Sequence, residues 1–273
     1  MNRSAISLLT LLLALPVVGH TDLRLYVFDC GIIDMQDISS FSLSNDESPV
    51  RQLFVPCYLV EHDDQQMIWD AGLPNAIAGQ GTIDQGGGMS MSLDTSLIEQ
   101  LETLELSAAD IDLVAFSHMH FDHVGAANLF TNARLLIQDT EYAAAFEDPD
   151  NPYFQPDLYM GLKDNEREIL SGDYDVFGDG SVTIVSAPGH TPGHQVLLLQ
   201  LENSGPLVLS GDLYHFAESR ALRRAPQFNF DAEQTFGSMD KVEALIKAEG
   251  AILWIEHEKA LADTLNMAPA FYD

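Results

Sequence analysis

The chain has 273 residues, enough for one large domain or two small ones with a substantial core. Its apolar fraction of 46% and aromatic fraction of 9% belong to a globular protein and exclude a disordered one. With 12 Lys and Arg against 42 Asp and Glu, the formal charge is −30, so the surface repels phosphate backbones and anionic lipid, and neither nucleic acid nor a membrane is an expected partner.

Arg3 followed by the apolar run Ile6 to Leu15, with small residues before Gly19, has the form of a signal peptide cleaved after Gly19, which places the mature chain in the periplasm or outside the cell. The run is short for a membrane span, and a buried first helix or strand is the alternative. Residues 20–273 then form a single domain. Strands are expected at 23–28, 52–61 and 66–69, separated by a polar surface loop over 29–51. Cys30 and Cys57 lie in two of these apolar runs; an exported protein permits a disulfide, but a domain this size needs no staple, and the expectation is two buried free thiols. Gly79 to Gly88 carries five glycines and reads as mobile. Ser96 and Glu99 form a capping box that starts a helix running to about Leu104.

A short buried strand over 111–116 ends in His118-Met119-His120-Phe121-Asp122-His123, three imidazoles and a carboxylate within six residues, which is a metal-ligand pattern. A strand at 134–138 and a helix at 140–147 follow, then a long Pro- and aromatic-rich stretch over 148–165 that is either a binding loop or an ordinary surface excursion. Strands at 182–186, 195–201 and 207–210, a helix at 232–249 capped by Asp231, and a final strand at 251–255 complete two β-rich halves packed face to face with helices outside. Further candidate ligands stand just beyond strand ends: the turn Pro188-Gly189-His190-Thr191-Pro192-Gly193-His194, then Asp212, then His257. This is more than one zinc uses and suits two ions sharing a bridging carboxylate. Asp70, ending the third strand, is placed to support a ligand histidine.

These motifs, with Leu207-Val-Leu-Ser-Gly-Asp-Leu-Tyr-His, Ala225-Pro-Gln-Phe-Asn-Phe and the strands around Cys57 and Trp69, resemble the metallo-β-lactamase superfamily and, within it, the N-acyl-homoserine lactonases. The resemblance implies an α+β fold, a four-layer αβ/βα sandwich. It implies two divalent ions, most simply Zn²⁺, one held by His118, His120 and His194 and the other by Asp122, His123 and His257, with Asp212 bridging. His190 is read as ordering its turn. The implied reaction is attack on a lactone carbonyl by a hydroxide shared between the ions, with Asp122 passing a proton to the leaving alkoxide. Lactonases of this kind often carry Tyr three residues after the bridging Asp; here that position is His215, with Tyr214 one earlier, so both are candidate substrate contacts. Tyr153, Phe154, Tyr159, Phe216 and Phe228 are available to line an acyl groove, and Arg220, Arg223 and Arg224 are expected to pair with surface carboxylates. A homodimer is common among such relatives. A thioesterase of the glyoxalase II kind and a metal-binding module without turnover are the competing readings.

Overall fold

In a computed structural model that describes residues 22–148 and 151–273, apolar strands on two sheets set the architecture. The signal-peptide reading of residues 1–19 falls outside the described residues. The larger sheet takes β1 (Leu23–Met35), β2 (Gln52–His62), β3 (Gln65–Ala71), β4 (Ile83–Gly86), β5 (Met89–Ser92), β6 (Leu113–Ala115), β7 (Arg134–Gln138) and β8 (Arg167–Leu170) in the order β4-β5-β1-β2-β3-β6-β7-β8, with β14 (Phe271–Tyr272) also pairing β1. The smaller sheet has the order β13-β12-β11-β10-β9, built from β9 (Tyr174–Asp175), β10 (Val182–Ser186), β11 (Gln195–Leu201), β12 (Gly205–Leu209) and β13 (Ile252–Trp254).

The strands are apolar on both faces because each sheet is covered twice. In β11, Leu197, Leu199 and Leu201 meet Leu25, Val27, Tyr58 and Trp69 of the larger sheet between the layers. Val196 and Leu198 point the other way, onto Met239 and Val242 of the long helix Ala232–Glu249. The larger sheet buries its outer face, including Phe28, Leu59, Ile68 and Val114, under the helix Leu97–Glu102 and the segments around Val124 to Phe130 and Phe154 to Leu162. Helices, sheet, sheet, helices is the four-layer sandwich. No helix among the described residues is long and apolar enough to cross a membrane.

Both predicted caps are present: Ser96 and Glu99 close a reciprocal capping box, and the Asp231 carboxylate accepts the N–H groups of Glu233 and Gln234. Three expectations fail in the first ninety residues. β1 continues through a bulge between Asp29 and Ile32 to Met35, and the glycine-rich stretch folds into the β4–β5 hairpin, which pairs with that continuation. Cys30 lies within that bulge, while Phe28 is the register partner of Cys57, and Cys30 and Cys57 form a disulfide with Cα atoms 5.7 Å apart, so the free-thiol expectation is corrected.

Candidate metal centre

Parallel pairing of β3 with β6 and of β12 with β13 aims their C-terminal ends at one edge of the sandwich. There Asp70 ends β3, His118 to His123 follow β6, Asp212 follows β12 and His257 follows β13; the Pro188–His194 turn joins β10 to β11 alongside. The edge gathers three groups of ligating atoms; one of them, Asp70, His123 and Glu256, lies behind the other two and shares His123 with the second.

In the first group, His118 Nε2 lies 2.9 Å from His120 Nδ1, and His190 Nε2 lies 3.1 Å from the same atom. Asp212 Oδ2 closes the group at 3.6 Å from His118 Nε2 and 3.1 Å from His190 Nε2. In the second, Asp212 Oδ1 is 3.3 Å from His123 Nε2 and 3.0 Å from His257 Nε2, and Asp122 Oδ2 is 3.7 Å from His257 Nε2. The Asp212 carboxylate therefore turns one oxygen to each trio. His123 Nε2, His257 Nε2 and Asp212 Oδ1 are buried without a hydrogen-bond partner. Three such atoms facing one point are costly unless a cation satisfies them, and imidazole with carboxylate is the donor set of divalent transition metals. The residues fit a metal pair.

Here the turn reading is corrected. His190, not His194, enters the first group. His194 has no lone pair to spare: Nδ1 donates to the Ala187 carbonyl at 3.0 Å, and Nε2 accepts the Asp212 N–H at 2.9 Å. Its pKa, lowered to about 3 by burial and by His190, keeps it neutral in that role. It steers the backbone of Asp212 from beneath. Gly211 makes room for this, with φ +47°, because a Cβ there would fall 2.7 Å from His194 Nε2.

The other rings are braced from behind. Asp70 accepts from His123 Nδ1 at 2.8 Å and from the Ser117 N–H at 2.6 Å, which gives Asp70 the supporting role expected of it. His257 Nδ1 donates to the Phe54 carbonyl at 2.7 Å, and His190 Nδ1 pairs with Asn229 Oδ1 at 3.0 Å. Behind Asp70, Glu256 accepts the Gly211 N–H at 2.8 Å; burial and the nearby Asp70 push its pKa up to about 8. Burial, then His123 and His120, hold His118 well below the usual histidine range; burial, then His190, do the same for His120. Burial also pulls down on His123 and His257, but Asp70 and Asp212 outweigh it for His123, and Asp212 with Asp122 raise His257 to about 9. Burial opposes ionisation of Asp212, yet His215, His257 and His123 hold its pKa well below the carboxylate range.

His215 and Tyr214 part company. His215 Nε2 lies 2.9 Å from Asp212 Oδ2, and a carboxylate can only accept, so the ring donates. Burial lowers its pKa against the pull of Asp212. Tyr214 turns the opposite way and donates to Glu243 Oε1 at 3.0 Å on the long helix, so its place as a substrate contact is corrected: alternation along the extended backbone at 214 points it under the helix. Arg220 and Arg223 pair with Glu243 and Asp240, as expected for surface partners.

Beside Asp122, Asp212, His215 and His257 opens a cavity of ≈ 240 Å³ walled by Ile33, Met35, Phe41, Leu53, Met89, Phe121 and Phe228. Of the aromatics singled out in the sequence, Phe228 lines it; Phe216 packs behind Phe41, and Tyr159 is buried in the core. Tyr153 and Phe154 flank a narrow crevice on the far side of His120.

Residues 50–253 match the family model of the metallo-beta-lactamase superfamily. The chain belongs to that superfamily. Among its members, the N-acyl homoserine lactonase AttM of Azorhizobium caulinodans is 30% identical over 93% of this chain and 100% of its own length. The N-acyl homoserine lactonase AiiA of Bacillus thuringiensis subsp. kurstaki is 29% identical over 91% of this chain and 98% of its own. A solved N-acyl homoserine lactone hydrolase, with N-hexanoyl-L-homoserine bound at its catalytic metal centre, superposes with a TM-score of 0.77 at 26% identity, covering 91% of this chain and 98% of that one. The metallo-β-lactamase frame also shows what sequence reading passed over. His190 sits in a turn whose two histidines have near-identical flanks, the wall residues Ile33 and Met35 come from the stretch read as loop, and Met89 stands just after the segment read as mobile.

Proposed function

We propose that this protein is an N-acyl homoserine lactonase that opens the lactone ring and so silences acyl-lactone signals. The observation that carries the reading is the Asp212 carboxylate turned to two ligand trios at the mouth of an apolar cavity. The relatives named N-acyl homoserine lactonases support it along nearly their whole length.

His118, His120 and His190 would hold one divalent ion, and Asp122, His123 and His257 a second, with Asp212 between them. Zinc is the simplest choice for this donor set. When bound, the pair supplies Lewis acidity and brings the pKa of a water close to neutrality. The chain's own residues do the rest. The cavity walls take the acyl chain by burying it and exclude water from the ester. His215, neutral at physiological pH, donates its one N–H to Asp212 and lines the cavity, so it fixes that carboxylate beside the place the ester would occupy. Asp122 lies at the cavity wall and carries a proton from the attacking water to the ring oxygen. Water adds to the carbonyl carbon, the bond from that carbon to the ring oxygen breaks, and the product is the N-acyl homoserine with a free carboxylate and hydroxyl. Acid release from N-hexanoyl homoserine lactone by the two-metal protein, measured beside a thioester and a β-lactam, tests this. No release from any lactone would overturn it.

Export from the cytoplasm is part of the same proposal. The apolar segment behind Arg3 motivates it, and the Cys30–Cys57 disulfide supports an oxidising compartment. Sequencing the N-terminus of the mature protein should begin at His20; a retained Met1 would overturn it.

A further inference from the structure

Glu141 lies outside the ligand set, in the short helix Asp139–Tyr142 after β7, and its side chain is buried. One carboxylate oxygen accepts the Met119 N–H at 2.9 Å, and the other accepts the Gly193 N–H at 2.8 Å. Met119 stands between His118 and His120, and Gly193 closes the turn that carries His190. The two loops come from different sheets, so one carboxylate fixes the gap between all three histidines of the first trio. Nothing is loose at this joint. A Cβ on Gly193 would fall 2.5 Å from both Glu141 Cβ and Glu141 N, so the turn seats directly on the glutamate. Thr140 adds a second tie, donating to the Pro192 carbonyl at 2.9 Å. Met119 buries its side chain, which leaves its N–H no route to water. The second trio does not use this joint: His123 is held by Asp70 and His257 by the Phe54 carbonyl.

We infer that Glu141 is the positioning residue of one half of the metal centre, setting the spacing of His118 and His120 against His190 through two backbone N–H groups. It rests on the metal-pair part of the proposed function and not on the lactone substrate. Glutamine is the sharp substitution. It matches glutamate in shape but offers one acceptor oxygen and an NH₂, so either Met119 or Gly193 faces a donor. The loops then separate, and the ion they hold together binds more weakly, on the scale of about 10–100-fold seen for lost supports of metal ligands.

The test is a Co²⁺ titration of the metal-stripped protein, followed by visible absorbance and checked by metal content after dialysis. Wild type is expected to take two ions. E141Q should keep one at wild-type affinity and bind the other about 10–100-fold more weakly. D70N should weaken the opposite ion. In an H190A background, E141Q should change the remaining ion little, because both substitutions act on the same half. Wild-type affinity for both ions in E141Q, equal weakening of both, or a further loss in the double variant would overturn the inference. Should E141Q fail to fold, E141D keeps two acceptors on a shorter arm. It is expected to hold the first ion more tightly than an E141A chain, and equal loss in the two would overturn the inference as well. Lactone turnover does not enter these readouts, so their failure is separate from failure of the substrate assignment.

Discussion

The two halves of the centre solve one problem by opposite means. His118, His120 and His190 converge around a single carboxylate, Asp212, and burial, with His123 beside His118 and His190 beside His120, keeps His118 and His120 neutral and ready to ligate. In the second half Asp122 itself, with Asp70 and Asp212 alongside, holds protons on His123 and His257 until a cation displaces them. The spacing of the first half is set through backbone N–H groups held by Glu141, with Asn229 bracing the His190 ring, while the second half is placed through its ring nitrogens. Precision in a metal site can thus be built into loop spacing or into the orientation of each imidazole, and here one carboxylate, Asp212, joins the two designs.

Removing that join has the largest expected effect. Asp212→Asn replaces one oxygen with an NH₂ that faces a ligand trio, and lactone hydrolysis should fall on the order of 10³-fold or more, beyond the loss typical of a single stabilising donor. Near-UV circular dichroism should stay that of the folded protein. A variant that kept most of its activity would refute the bridging role, and with it the contrast between the halves.

Next in size is the separation of ligand from brace within one turn. His190→Ala should lose the first ion, giving one metal per chain by elemental analysis. His194→Ala should keep both ions with affinity reduced about 10–100-fold, because its ring acts through the Asp212 backbone. The opposite ranking would return His194 to the ligand set.

The same contrast predicts a pH response. Without metal, His257 has its pKa raised to about 9 and Glu256 to about 8, both above their unfolded values. Each therefore binds more protons folded than unfolded. The stability from His257 is complete below its unfolded pKa of about 6.5 and is lost as pH climbs from there through about 9, and that from Glu256 is complete below its unfolded pKa of about 4.5 and is lost by about pH 8. The melting temperature of chelator-treated protein should fall between pH 6.5 and 9. Metal competes with those protons, so the gain in melting temperature on adding metal should widen across the same window. An apo protein that grew more stable with rising pH would contradict the charge assignment of the second half.

How much of this was written in the chain depends on whether a signal is local. β10 and the helix Ala232–Glu249 match their sequence ranges because alternation and an Asp cap are local cues. His118 to His123 and Asp212 are legible for a similar reason: dense polar residues straight after an apolar strand have few other uses. His190 and His194 share the same Pro-Gly-His context, and only the Ala187 carbonyl, brought up by the fold, decides which ring is occupied. The disulfide depends on a bulge in β1, and the β4–β5 hairpin on pairing with a strand whose end read as loop. Glu141 is a partner chosen by tertiary structure, with no sequence spacing to announce it.

The smallest effect probes the cavity that both halves share. Met35 and Met89 form part of its wall, next to Ile33 and Leu53. Thioether side chains flex to fit chains of different length, so the wild-type wall should discriminate weakly between acyl tails. Met89→Trp fills that space with a rigid ring. Losing burial of about two methylenes, at roughly 0.8 kcal/mol each, predicts a drop of about 10-fold in kcat/KM for a decanoyl substrate and little change for a butanoyl one. Metal content should not move, since Met89 touches neither trio. A uniform drop across chain lengths would place the acyl tail elsewhere, with the crevice between Tyr153 and Phe230 as the next surface to vary.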